Sequence, residues 1–191
     1  MESDDSDSDD TQAPILFTES LETSNEEKQE VALFISVDNT RVGYIKAIIL
    51  HMDLLRNIPY VKDKLKCKNK DDQEEILEFY NRLKNVVNTN IIFYITDFFL
   101  EKPFRGNGLG GRILQALPNW LRLYHPEVND LYLFPYPLEK NNGKVECVKH
   151  INSKKLWEMR THLIIFYTHN GLHKTSTPFL RMPIRHTIPI K

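Results

Sequence analysis

Cysteine is scarce. The chain of 191 residues has two, Cys67 and Cys147. They form neither a metal-ligand spacing nor the disulfide framework of a small secreted domain, and they point to a reducing compartment. Long apolar runs are missing as well. No stretch reaches the roughly 20 residues a helix needs to cross a bilayer. The first residues are acidic, which is not the pattern of a secretory signal. Charge of one sign is also in short supply, with a net charge of −1. Residues 1–11 hold six acids and no base, so the remainder carries a mild positive excess. That excess suits a polyanionic ligand but is too weak to argue for nucleic acid. Together these shortages predict an intracellular protein without membrane spans, cytoplasmic, with a nuclear location left open.

Glycine is the informative shortage. The chain has seven, and four of them, Gly106, Gly108, Gly110 and Gly111, fall within seven residues. Ahead of them, residues 91–100 are mostly β-branched and aromatic, as in a strand buried on most of its length. A polar elbow, 101–104, leads into Arg105-Gly106-Asn107-Gly108-Leu109-Gly110-Gly111. Residues 112–123 then carry Ile113, Leu114, Leu117, Trp120 and Leu121 at helical spacing. A helix opens on N–H groups that have no partner within the helix, and its dipole adds partial positive charge there. Glycines let an anion approach that backbone without meeting a Cβ. The stretch therefore reads as a phosphate or pyrophosphate site.

The rest reads as one α/β (α+β) domain over residues 13–191, preceded by an acidic tail, 1–12, too polar to fold. Residues 15–18 suggest a short strand and 19–30 a polar loop or marginal helix. Residues 31–37 and 42–50 suggest an antiparallel hairpin about Asp38-Asn39-Thr40, with Gly43 marking a bulge or a close backbone approach. Lys62, Lys64, Lys66, Lys68 and Lys70 alternate, as on one face of an extended segment or in a solvated loop. Residues 71–87 predict a helix with Ile76, Leu77, Tyr80, Leu83 and Val87 on one stripe. Pro118 is expected to kink or interrupt the helix after the glycines. The next strand, 131–136, makes a parallel pair with a right-handed crossover, and puts the glycine loop at the C-terminal edge of the first strand. Residues 139–143 read as a polar loop. Ser153 is expected to cap a helix that ends near His169, with Gly171 as its left-handed terminus. Residues 175–182 form the last predicted strand, before a basic end, 183–191. His162, His169 and His173 lack a matching ligand set, so no metal is expected.

Gly106, Gly108 and Gly111 formally satisfy G-x-G-x-x-G, but a dinucleotide fingerprint follows its strand at once, and here the elbow and Arg105 intervene. The next strand ends on Tyr136-Pro137 where a ribose-binding acid would stand. A Walker loop fails because no Lys-Ser/Thr follows the glycines. Residues Arg105 to Gly110 fit R-x-x-G-x-G between a strand and a helix, and this resembles motif A of the GNAT superfamily of N-acetyltransferases. Phe166-Tyr167-Thr168-His169-Asn170-Gly171-Leu172 resembles that family's F/L-Y-x-x-x-G-F element, and Gly43-Tyr44-Ile45 looks like its third strand. The resemblance covers roughly residues 31–50 and 91–182.

The resemblance implies a mixed, mostly antiparallel central sheet with one parallel strand-helix-strand crossover and helices on both faces. It implies transfer of an acetyl group from acetyl-coenzyme A to a primary amine, on a small molecule or a protein, by direct attack without a metal or an enzyme nucleophile. The backbone of Arg105, Gly106, Asn107, Gly108, Leu109 and Gly110 would hold the pyrophosphate, and Leu100 to Lys102 the pantetheine arm. Tyr167 would serve as general acid to the leaving thiolate, a role open to a phenol because it donates a proton while neutral at pH 7. The bland alternative for Tyr167 is a core tyrosine with a satisfied hydroxyl. The family's strand Glu, eleven residues before the motif arginine, is Tyr94 here. Asp97 and Glu101 are the nearest acids and the candidates for the base, with a base acting through water equally open. Simple alternation turns Asp97 away from Tyr94 unless a bulge re-aims it. The usual Asn before the helix tyrosine is Arg160, and the usual final Phe is Leu172.

The family's two helices between its first strands have little room in residues 19–30. An inserted helical segment at about 55–90 is expected to replace them over the acceptor cleft. Deleting 60–88 should then weaken acceptor use more than coenzyme binding. A second class stays open, a regulatory module on the same scaffold that holds acyl-coenzyme A or a protein partner without turnover. A homodimer is left open.

Overall fold

A computed structural model describes residues 13–58, 61–66, 70–85, 90–148 and 151–184, side chains 70–72 apart. The acidic tail, Lys68, Val87 and residues 185–191 lie outside the described residues. The chain runs β1 (Ile15–Ser24), β2 (Lys28–Val37), β3 (Thr40–His51), α1 (Met52–Arg56), α2 (Val61–Lys64), α3 (Lys70–Leu83) and β4 (Ile91–Leu100). A 3-10 turn, Lys102–Phe104, leads into α4 (Leu109–Tyr124). There follow β5 (Asp130–Leu133), β6 (Leu138–Asn141), β7 (Lys144–Cys147), α5 (Ser153–His169), β8 (His173–Lys174) and β9 (Leu180–Pro183). The main sheet has seven strands in the order β1-β2-β3-β4-β5-β9-β8, and only β4 and β5 run parallel. The fold is α+β, with a mostly antiparallel mixed sheet.

Strand alternation sorts the core to two faces. Ile45, Ala47, Ile49, Phe93 and Ile95 face α4 and α5, where they meet Ile113, Leu117, Leu121 and Tyr167. Ile48, Leu50, Ile92 and Tyr94 face the segment ahead of β4, where Leu55, Ile76, Phe79 and Leu83 cover them. Phe79 pins α3 to the sheet, with ring centroids 4.1 Å from Tyr94 and 5.0 Å from Phe179. The predicted insertion thus supplies much of the core on that face of the sheet. Deleting 60–88 would expose a sheet face, so it cannot test acceptor use on its own.

Several local expectations need correction. Residues 19–24 continue β1, and a turn at 25–27 leads directly into β2. Their polarity reads as loop, but β1 is an edge strand, where charge is tolerated and blocks further pairing. Residues 52–64 hold two short helices; Lys62 and Lys64 lie on α2, so their alternation did not mark a strand. Residues 139–143 belong to a hairpin of β6 and β7, a separate two-stranded sheet. Its turn has Asn142 and Gly143 at φ 51° and 80°, the left-handed values a two-residue hairpin requires. Helix α4 runs through Pro118 without interruption, held on both sides by buried Leu114, Leu117 and Leu121. Residues 175–182 are a turn followed by β9.

The cap of α5 is Asn152, one residue before the predicted Ser153; its side chain accepts from the Lys155 N–H at 2.8 Å. Asn152→Ala should cost about 1 kcal/mol in chemical denaturation, with the midpoint lowered and the slope unchanged.

Two bulges shape the end of β4. In the β2–β3 pair Val42 is the extra residue, since Ile35 pairs with Gly43 and Ser36 with Arg41. A Cβ on Gly43 would lie 2.2 Å from the Phe99 carbonyl oxygen, so glycine is what lets β3 close on β4 there. In the β3–β4 pair Thr96 is the extra residue, since Lys46 pairs with Asp97 and Ala47 with Ile95.

Candidate functional site

Strands β4 and β5 pair only over Ile92 to Ile95 and Asp130 to Leu133. Beyond that, residues 96–100 keep β3 on one side and have no strand on the other among the described residues. The chain after β5 turns away through Tyr136, Pro137 and Leu138, and the gap becomes a groove of about 600 Å³. One wall is Phe98, Phe99 and Leu100. The opposite wall is Met159, His162, Leu163, Phe166 and Tyr167 of α5, and the glycine loop closes one end.

In the glycine loop Gly106 and Gly108 have φ of 82° and 81°, a conformation that a side chain strains. Gly108 is the N-cap of α4 and offers no side-chain cap. Asn107 supplies one, its Oδ1 accepting from the Leu109 N–H at 3.2 Å. The N–H groups of Gly106, Gly108 and Gly110 find no acceptor among the described residues. They are the donors an anion would take. Arg105 is drawn back to the strand, its Nε donating to the Leu100 carbonyl at 2.7 Å and its guanidinium 4.8 Å from the centre of the Phe99 ring.

Of the residues expected around a coenzyme, Leu100, Arg105, Gly106, Gly108 and Gly110 line the groove together. Lys102, Asn107 and Leu109 do not: Lys102 is exposed on the 3-10 turn, Asn107 serves as the cap, and Leu109 is buried in the core.

Tyr167 is 7% exposed, and burial pushes its hydroxyl well above the usual tyrosine range, so it stays protonated. That hydroxyl has no hydrogen-bond partner among the described residues. A core tyrosine normally satisfies its hydroxyl; this one points into open space.

On the other face of the sheet lies a cleft of about 760 Å³, bordered by β2, β3 and β4, by α3 and by the β6–β7 hairpin. The Thr96 bulge turns Asp97 to this side, the same face as Tyr94, so the alternation reading is corrected by the extra residue. Asp97 stands 3.9 Å from the Lys46 ammonium, and Glu101 bonds Lys140 of β6 at 2.6 Å. Tyr44 lies between these acids. Burial, then the carboxylates of Asp97 and Glu101, push its hydroxyl above the usual range.

A narrow neck of about 20 Å³ lies between groove and cleft. It shares Phe98, Tyr136, Leu138 and Tyr167 with the groove, and Glu75, Thr96 and Cys147 with the cleft. The splay of β4 from β5 therefore brings lining residues of both faces of the sheet together at this neck. Neither Asp97 nor Glu101 lines it. Glu75 of α3 does, and the Tyr94 hydroxyl donates to its carboxylate. Sequence reasoning placed Gly111 in the anion loop, where it lines the groove, but missed Glu75, the groove face of α5 ahead of Phe166, and the hairpin. Only the hairpin had a local signal, Asn142-Gly143.

No protein-family model matches the chain, and no curated protein matches it either. Among the described residues no helix is long and apolar enough to cross a membrane.

Proposed function

We propose that the protein is an N-acetyltransferase that moves an acetyl group from acetyl-coenzyme A to a primary amine. The observation that carries this reading is the Tyr167 hydroxyl, buried, protonated and without a partner, at the neck between two cavities. The donors left free in the glycine loop fit a pyrophosphate, and the edge of β4 beyond Ile95, which has no strand beside it on the groove side among the described residues, fits an arm that carries amides. The likeness of both motifs to the GNAT superfamily supports the same reading. Acetyl-coenzyme A supplies a thioester, activated toward attack by nitrogen. Tyr167 gives its proton to the departing thiolate, and the largely apolar groove, once the coenzyme fills it, leaves little room for water to compete for the acetyl group.

The first test is binding. A ligand at 100 times its dissociation constant stabilises the native state by about 2.7 kcal/mol, so saturating acetyl-coenzyme A should raise the melting temperature clearly. Gly108→Val should fold with a modestly lower melting temperature of its own and lose the coenzyme-induced rise. Release of free thiol is then read against spermidine, a lysine-containing peptide and a peptide with a free N-terminus. A rise in melting temperature without turnover on any amine would favour the regulatory module. No rise would remove the coenzyme from the proposal.

A further inference from the structure

We infer that Glu75, brought by α3 to the neck where β4 and β5 part, is the carboxylate that takes the proton from the acceptor amine. The inference rests on the acetyl-transfer reading and assigns that reaction its missing base. At the strand position where a carboxylate would be sought stands Tyr94, and its hydroxyl donates to Glu75. The carboxylate is thus held above β4 from the helix that precedes that strand. Glu75 lines both the acceptor cleft and the neck, and Tyr167 lines both the neck and the groove. An amine entering from the cleft passes Glu75 before it meets a thioester held against Tyr167. The two acids nearer in sequence, Asp97 and Glu101, line only the outer cleft and stand beside Lys46 and Lys140.

An alkylamine arrives as an ammonium ion and cannot attack until one proton has gone. Glu75 accepts it, directly or through one water, leaving a nitrogen lone pair at the mouth of the neck. That lone pair forms the bond to the thioester carbonyl carbon, and the carbon–sulfur bond breaks. Tyr167 protonates the sulfur and regains a proton from the nitrogen of the new amide. Glu75 then releases its proton to solvent through the cleft. One proton leaves per amide formed, and the protein ends as it began. The hydrogen bond from Tyr94 fixes the position of the carboxylate.

The test compares Glu75→Gln with the unaltered protein on the best alkylamine of the panel and on hydroxylamine, which is largely neutral at pH 7 and needs no such base. Glu75→Gln should lose about 10²-fold or more in turnover on the alkylamine. On hydroxylamine it should lose far less, and acetyl-coenzyme A should raise its melting temperature as before. Tyr94→Phe keeps the carboxylate but loosens it. It should lose about 10-fold, again mainly on the alkylamine, and it serves as the test if Glu75→Gln does not fold. Three results would overturn the inference: alkylamine turnover by Glu75→Gln within a few-fold of normal, equal losses on both nucleophiles, or in the fallback an unaffected Tyr94→Phe. If the unaltered protein binds coenzyme but acetylates no nucleophile, the acetyl-transfer reading fails first and takes Glu75 with it.

Discussion

Tyr167→Phe should lower kcat by about 10²- to 10³-fold while leaving the coenzyme-induced rise in melting temperature unchanged. It should not destabilise the protein. A buried hydroxyl that is hydrogen-bonded contributes about 1 kcal/mol, but this one has no partner among the described residues, so its removal breaks no hydrogen bond. Differential scanning calorimetry on the variant should give a melting temperature equal to or above that of the unaltered chain. A core tyrosine without a chemical role would show the opposite pair, a small loss of stability and normal turnover. The pH profile adds a sign. Burial raises the folded-state value of this phenol, so the protonated, donating form persists as pH rises past about 10, the ordinary tyrosine value. Turnover should therefore show no alkaline loss from Tyr167 below that point.

The largest expected loss of stability comes from Arg181→Met. Arg181 on β9 grips Asp130 at the start of β5 with two bonds, Nε to Oδ1 at 2.8 Å and Nη2 to Oδ2 at 3.2 Å. The aspartate side chain is 1% exposed and the arginine side chain 42%. Removing the arginine leaves a buried carboxylate without its counter-ion, which costs about 3–5 kcal/mol. Asp130→Asn should cost less, because the stranded guanidinium can reach water. Urea denaturation of the two variants gives the comparison, and equal losses would refute the asymmetry. The residues beside the pair tie three strands together. The Asn129 side chain accepts from the Ile91 N–H at 3.1 Å, and its carbonyl accepts from the Ile184 N–H at 2.8 Å. Loosening this corner should widen the gap between β4 and β5, so Arg181→Met should also weaken coenzyme binding.

What could be read from the sequence was what local pattern determines. The glycine loop, β4, α4 and the Gly171 terminus of α5 each carry their instruction within a few residues. The parallel crossover follows from their order. What failed was set by distant partners. The polar half of β1 is a strand because β2 lies beside it, and alternating lysines on a short helix imitate an extended chain. The bulge at Thr96 leaves no mark in its own composition, yet it decides which way Asp97 faces. Glu75 is the clearest case. Nothing in a polar helix singles out one glutamate, and its meaning comes only from Tyr94 on the strand beneath it.

An exposed strand edge is a hazard, since any other chain can add a strand to it, and proteins cover such edges with charge or irregularity. This sheet carries an edge in its interior, at residues 96–100 between β3 and the departing β5. A neighbouring polypeptide cannot reach it edge-on, because α5 and the turn through Tyr136 and Leu138 wall the groove. A thin, flexible molecule with an amide or two along its length can. The splay therefore hides this strandless stretch of β4 from strands of other chains and leaves it to something narrower than a strand.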